Sequence, residues 1–164
     1  MKYEFISPAR IESYWQALDE IARERKYLLL LEGPEKSSTE EFIGEIIEKN
    51  WTHFIALDGE RVVGWCDIVR HEREGIDHTG HVGMGVVESH RRQGIGERLI
   101  RLSIDDAFSK GIERIELEVF SSNQGAVALY EKIGFILEGR RRKARFIDGT
   151  YDDLIVMGLL KEEA

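Results

Sequence analysis

Val82-Gly83-Met84-Gly85-Val86-Val87-Glu88-Ser89-His90-Arg91-Arg92-Gln93-Gly94-Ile95-Gly96 joins an apolar, strand-like run to the start of an amphipathic segment. Beyond the glycines, Ile95, Leu99 and Leu102 form one apolar row and Ile100, Ile104, Ala107 and Phe108 the adjoining one. Glu97, Arg98, Arg101, Asp105 and Asp106 take the opposite face, the period of a helix with one buried side. A helix start carries unpaired backbone N–H groups and the positive end of the macrodipole, so phosphates bind there readily. Glycine at 94 and 96 lets those groups converge on an anion with no side chain in the way. The turn through Arg91, Arg92, Gln93, Gly94, Ile95, Gly96 and Glu97 is therefore a candidate phosphate cradle; a tight strand-to-helix turn is the plain alternative. It is not a Walker A loop, because Glu97-Arg98 stands where Lys-Ser/Thr is needed. Nor is it a dinucleotide fingerprint, because Leu99 occupies the place of the third glycine.

Downstream, Ile115-Glu116-Leu117-Glu118-Val119 alternates like a half-buried strand. Ser121-Ser122-Asn123 offers helix-capping side chains, and Ala126, Tyr130, Gly134 and Phe135 follow. In these two stretches the chain resembles the GCN5-related N-acetyltransferase family. The family's Arg/Gln-x-x-Gly-x-Gly/Ala loop is matched by Arg91, Gly94 and Gly96. Its Asn-x-x-Ala-x-x-x-Tyr signature followed by Gly-Phe is matched by Asn123, Ala126, Tyr130, Gly134 and Phe135. The two motifs stand in the family's order with a helix and a strand between them, which is far more specific than either alone. The resemblance is strong from His81 to Phe135 and implies transfer of an acetyl group from acetyl-CoA to an amine.

With 164 residues, 42% of them hydrophobic and 33% charged, the chain reads as one soluble domain spanning 1–164. No apolar run approaches the ~20 residues needed to cross a bilayer, and Met1-Lys2-Tyr3-Glu4 opens no signal peptide. A membrane role is not expected, and the cytoplasm is the expected location. A net charge of −8 argues against nucleic acid as a partner and mildly favours a cationic acceptor. The single cysteine, Cys66, excludes an internal disulfide and reads as a small buried hydrophobe.

Tyr3 to Ile6 reads as a first strand. Ser7-Pro8 opens a helix carrying Ile11, Tyr14, Trp15, Leu18, Ile21 and Ala22 on one face. Tyr27 to Leu31 is ambiguous between a strand and a helix extension. Gly33-Pro34 breaks it, and Ser37-Ser38-Thr39 should cap a second helix that buries Phe42, Ile43, Ile46 and Ile47. A hairpin follows, Trp51 to Leu57 and Arg61 to Val69 around Asp58-Gly59; the polar segment from His71 to Thr79 should be a loop. Phe135 to Lys143 and Thr150 to Leu160 form a last antiparallel pair around Asp148-Gly149. The order β-α-α-β-β-β-α-β-α-β-β is an α/β (α+β layered) domain with a mixed, mostly antiparallel sheet of about six or seven strands and about four helices. The resemblance implies that its central strands are splayed.

Acyl transfer from a thioester to an amine needs a base for the ammonium, a donor for the oxyanion and an acid for the departing thiolate. The resemblance gives the acid role to Tyr130 and, by its place five residues before Asn123, the base role to Glu118, with His81 the rival base. It gives both the oxyanion donor and the pantetheine arm to the main chain at Met84 and Val86, where the mid-strand Gly85 suggests close approach of a ligand, and a further bond to the arm to Asn123. The diphosphate falls to the turn from Arg91 to Glu97, chiefly through backbone N–H groups. Attack should be direct, in a ternary complex, since Cys66 lies outside both motifs. His71, His78, His81 and His90 lack metal-ligand spacing, so no metal is expected. The basic run Arg140 to Arg145 reads as a solvated strand edge, or alternatively as a surface for an acidic acceptor or the cofactor's 3′-phosphate. The acceptor is an amine on a small molecule or a protein N-terminus. Homodimers are frequent in the family, and nothing in the sequence fixes the oligomeric state. The competing class is a catalytically silent acyl-CoA sensor, against which Tyr130 and Glu118 both speak.

Overall fold

In a computed structural model describing residues 1–164, the elements follow the expected order. They are β1 (Lys2–Phe5), α1 (Ile11–Arg23), α2 (Lys36–Glu48), β2 (Thr52–Asp58), β3 (Arg61–Arg70) and β4 (Thr79–Val86). After these come α3 (Ile95–Ser109), β5 (Arg114–Phe120), α4 (Gln124–Ile133), β6 (Ile136–Ile147) and β7 (Thr150–Leu160). The strands make one sheet in the order β1-β2-β3-β4-β5-β7-β6, antiparallel everywhere except between β4 and β5. Helices α1 and α2 cover one face, and α3 and α4 the other. No helix is long and apolar enough to cross a membrane.

Local chemistry explains most boundaries. Pro8 stands at the start of a 3-10 turn that feeds α1, whose apolar row Tyr14, Ala17, Leu18, Ile21 and Ala22 is buried. Helix α3 buries Ile95, Leu99, Ile100, Ser103, Ile104, Ala107 and Phe108, the two expected rows with Leu102 lost and Ser103 added. The last hairpin closes over Asp148 and Gly149, at φ 49° and 76°, a two-residue turn of the primed type.

Several details differ from the sequence expectations. Ser37, Ser38 and Thr39 lie inside α2, whose cap position is Glu35, and Thr39 turns inward. Ile47 is exposed, because three residues along α2 (Thr39, Ile43 and Ile46) already fill its inner face. Asp58 pairs with Arg61, so the first hairpin turns on Gly59-Glu60, with Gly59 at φ 58°. Tyr27 to Leu31 is neither strand nor helix but an irregular cover over the sheet. β6 runs on to Ile147 across a register irregularity between Arg141 and Arg145, where Lys143 adopts φ 51°.

The feature that positions the site is the meeting of β4 and β5. Only Thr79↔Arg114, Gly80↔Ile115 and His81↔Glu116 are paired. Beyond His81 the two strands diverge, and the edge of β4 from Val82 to Val86 has no strand partner on that side.

Candidate active site

A cleft of about 920 Å³ opens at this divergence and passes between the strands from the α1–α2 face to the α3–α4 face. The backbone of its rim is unusual. The N–H of Val87 bonds the carbonyl of Val63 at 2.9 Å, so by strand alternation the main-chain groups of Met84 and Val86 point away from β3, into the gap. The Val86 carbonyl accepts from Arg91 Nε at 2.8 Å; Met84 has no partner strand on that side.

The turn into α3 lies at the end of the same edge. Within the protein, none of the six consecutive N–H groups of Arg92, Gln93, Gly94, Ile95, Gly96 and Glu97 has an acceptor; the first bonded amide is Arg98, on the Gly94 carbonyl at 3.0 Å. Gly94 holds φ 78° as the residue before α3, and Arg92 holds φ 60°. A Cβ placed on Gly94 would meet nothing within 4 Å, and one on Gly96 would make only ordinary contact, 3.5 Å from Met84. The left-handed backbone at Gly94 calls for glycine whatever the space, whereas packing within the protein does not require Gly96 to lack a side chain. An anion seated on the amides would.

The glycines of β4 have the opposite explanation. A Cβ on Gly85 would lie 2.6 Å from the Trp65 indole, and one on Gly83 2.9 Å from both carboxylate oxygens of Asp67. Side chains of β3 lean across β4 into these spaces. Gly85 is thus accounted for by Trp65 and not by a ligand, which corrects the sequence reading.

Arg91 also departs from expectation. Its guanidinium turns inward, donating to both carboxylate oxygens of Glu24 and lying 4.6 Å from the centre of the Tyr27 ring. It braces the turn against the end of α1, where a phosphate contact was expected. Arg92 is exposed and free of such bonds; the Gln93 amide donates to Ser89 O at 3.2 Å. The Glu97 side chain pairs with Lys132 at 2.7 Å and Arg101 at 3.0 Å, leaving its backbone N–H for the cradle.

Asn123 caps α4, its side chain accepting from the Ala126 N–H at 3.3 Å, and it borders the cleft. Two turns on, Tyr130 is buried and lines the same cleft. Gly134, at φ 119°, ends the helix and sets Phe135 edge-on to the Tyr130 ring at 5.8 Å. Burial pushes the Tyr130 hydroxyl up from its ordinary value, so it holds its proton at neutral pH. Cys66 lies under α3, its thiol pushed up by burial, and is no nucleophile.

Glu118 and His81 line the cleft from the α1–α2 side; His81 is paired with Glu116 at the last joined position, and Glu118 stands two residues further along β5, beyond the divergence. The Glu118 carboxylate stands 2.8 Å from Arg141 of β6. The rest of the basic run is largely occupied: Arg140 pairs with Asp153, and Arg145 pairs with Asp152 and covers the Phe120 ring at 3.7 Å. The histidines are dispersed, His71 on Glu116 and His90 on Asp58, with no group of three metal-type ligands.

Sequence reasoning passed over Asp67. It stands on β3 at 7% exposure, borders the cleft, and rests on the backbone N–H groups of Asp67 and Gly83 with no cation beside it. Burial pushes its carboxyl up to about 7. The one available signal was an acidic residue inside the apolar run Val62-Val63-Gly64-Trp65-Cys66-Asp67-Ile68.

Residues 15–135 match the model of the Acetyltransferase (GNAT) family. The chain is 30% identical over 125 residues to the SPbeta prophage-derived uncharacterized N-acetyltransferase YokL of Bacillus subtilis, covering 75% of this chain and 70% of that protein. It is 33% identical over 84 residues to the ribosomal protein bS18-alanine N-acetyltransferase of Escherichia coli, covering 51% of this chain and 57% of that one. Among solved structures, yncA of Salmonella typhimurium, a putative acetyltransferase described with its cofactor acetyl-CoA, superposes with a TM-score of 0.91 at 16% identity, over 99% of this chain and 95% of that one.

Proposed function

The chain belongs to the GNAT acetyltransferase family and is an acetyl-CoA-dependent N-acetyltransferase; from that premise we propose that it acetylates a primary amine by direct attack in a ternary complex. The observation that carries this reading is the run of six unbonded amides at residues 92–97, set at the end of an unpaired strand edge with Tyr130 on the same cleft. Those amides and the N-terminal end of α3 suit a diphosphate. The exposed main chain of Met84 and Val86, with Asn123, suits the amide-bearing arm. The bound group supplies an activated acetyl carbonyl; every other requirement falls to the chain.

Tyr130 keeps a proton at its hydroxyl for the departing thiolate, as an ordinary tyrosine does at neutral pH; burial tightens its hold on that proton and so makes it the weaker acid. Glu118 takes the proton from the amine, directly or through water, from the α1–α2 side. Arg91 is a positioning residue, fixing the turn to β4 and α1. The protonated thiol of Cys66 supports a route without an acyl-enzyme. The acceptor is a primary amine on a small molecule or at a protein N-terminus, the latter by analogy with the bS18-alanine relative.

Tyr130→Phe tests the assignment. With CoA release followed over a panel of primary amines, kcat should fall roughly ten- to a thousand-fold while acetyl-CoA affinity stays near that of the parent. An unchanged kcat removes Tyr130 from the chemistry.

A further inference from the structure

The part of the cleft lined by α1, residues 27–34, α2 and β3 is almost wholly apolar. Its walls include Leu18, Leu28, Phe42 and Trp65, with the Tyr14 ring set edge-on to Trp65 at 5.4 Å. Among the residues that these four segments contribute, Asp67 is the only charged one. No Lys or Arg comes from these segments, and His81 of β4 is the ring nitrogen donor on the same side of the cleft. The Thr39 hydroxyl, on a residue 3% exposed, borders the same space and has no hydrogen-bond partner. Two buried polar side chains thus border one apolar chamber: the Thr39 hydroxyl without a partner, and the Asp67 carboxyl held by backbone N–H groups but without a counter-ion.

We propose that this chamber is the acceptor pocket, that it takes a small primary amine with an uncharged apolar body, and that the Asp67 carboxylate anchors the amine's ammonium group. The proposal rests on the transferase reading above and specifies its acceptor. A buried carboxyl with no counter-ion is costly, and a ligand that brings the missing charge relieves that cost. Gly83 makes the anchor possible, because only an absent side chain lets Asp67 lean across β4 toward the divergence. Glu118 already faces Arg141, so Asp67 is the carboxylate free to hold the cation, while Glu118 remains beside the reacting centre as base. The same arrangement selects against amino acids, whose carboxylate would be buried next to the Asp67 carboxylate with no Lys or Arg of these four segments beside it.

The test uses the full chain loaded with CoA. Isothermal titration of phenethylamine, its neutral analogue 2-phenylethanol and L-phenylalanine is run on the parent and on Asp67→Asn. Phenethylamine should bind the parent, and Asp67→Asn should weaken it about ten- to a hundredfold, the range for a hydrogen bond to a charged group. Binding of 2-phenylethanol should change less than about twofold, which separates loss of the charge from damage to the pocket. L-Phenylalanine should bind the parent at least about tenfold more weakly than phenethylamine. The proposal is overturned if phenethylamine fails to bind the parent, if Asp67→Asn binds it equally well, if both probes weaken together, or if L-phenylalanine binds as tightly. Asp67-dependent binding without acetyl transfer to phenethylamine would sustain the anchor and sink the transferase reading. Transfer to amines that is indifferent to Asp67→Asn would do the reverse.

Discussion

Asp67 has a cost when its site is empty. Its carboxyl holds its proton up to about pH 7 in the fold, against 3.8 in an open chain. Between those values the folded protein carries a proton that the unfolded one has lost, so stability falls as pH rises through that window and is flat above it. Asp67→Asn should therefore be more stable than the parent at pH 8, with the difference closing as pH falls toward 4. Urea denaturation at pH 4, 6 and 8 checks this, and a difference independent of pH refutes it. His53, whose ring burial draws down to about 3, works in the opposite sense below its ordinary 6.5, but it is common to both proteins and cancels. At this scale a motif located residues well, and Tyr130 and Asn123 both border the cleft. It was opaque where a side chain's neighbour decides the meaning. Gly85 read as room for a ligand, yet Trp65 from the next strand fills that room. Arg91 read as a phosphate contact, yet Glu24 and Tyr27, distant in sequence, claim it.

The turn into α3 acts as a unit, since its amides and not its side chains carry the candidate binding. Gly94→Val puts a β-branched residue at φ 78°, strained by about 1–3 kcal/mol, and points two methyl groups at the cradle. Acetyl-CoA affinity should drop about ten- to a hundredfold. Arg92→Ala removes one exposed charge and should cost under about fivefold. Isothermal titration giving the reverse order would show that side chains, not backbone, grip the anion. Elements were the most legible scale: the apolar periods of α1 and α3 and the turn at Asp148-Gly149 placed them correctly. The start of α2 was not, because three hydroxyl residues suit a cap and a first turn equally, and Thr39 instead turns into the cleft. Tyr27 to Leu31 gave no period, since its leucines cover the cleft without joining a ladder.

Across the whole molecule, a ligand that fills the gap between β4 and β5 ties together elements that otherwise touch weakly. Acetyl-CoA at a hundred times its Kd should stabilise the fold by about 2.7 kcal/mol, raising Tm by roughly 5–10 °C for a chain of this size. ATP, which lacks the arm that would lie along β4, should give less. Differential scanning fluorimetry with acetyl-CoA, CoA and ATP reads the ranking, and an equal shift by ATP contradicts the assignment. The divergence itself was not legible in the residues. Met84 and Val86 alternate like any strand whether or not a neighbour pairs with them, and only the family resemblance implied the gap. Three residue pairs are all that join the strands of the first 86 residues to those from Arg114 onward. Beyond those pairs the two parts are held together by one shared apolar core, to which both Val82 and Leu117 belong. Every further pair zipped up beyond His81 would shorten the opening into which a thioester has to reach, so the early end of that seam is what leaves a cofactor its room.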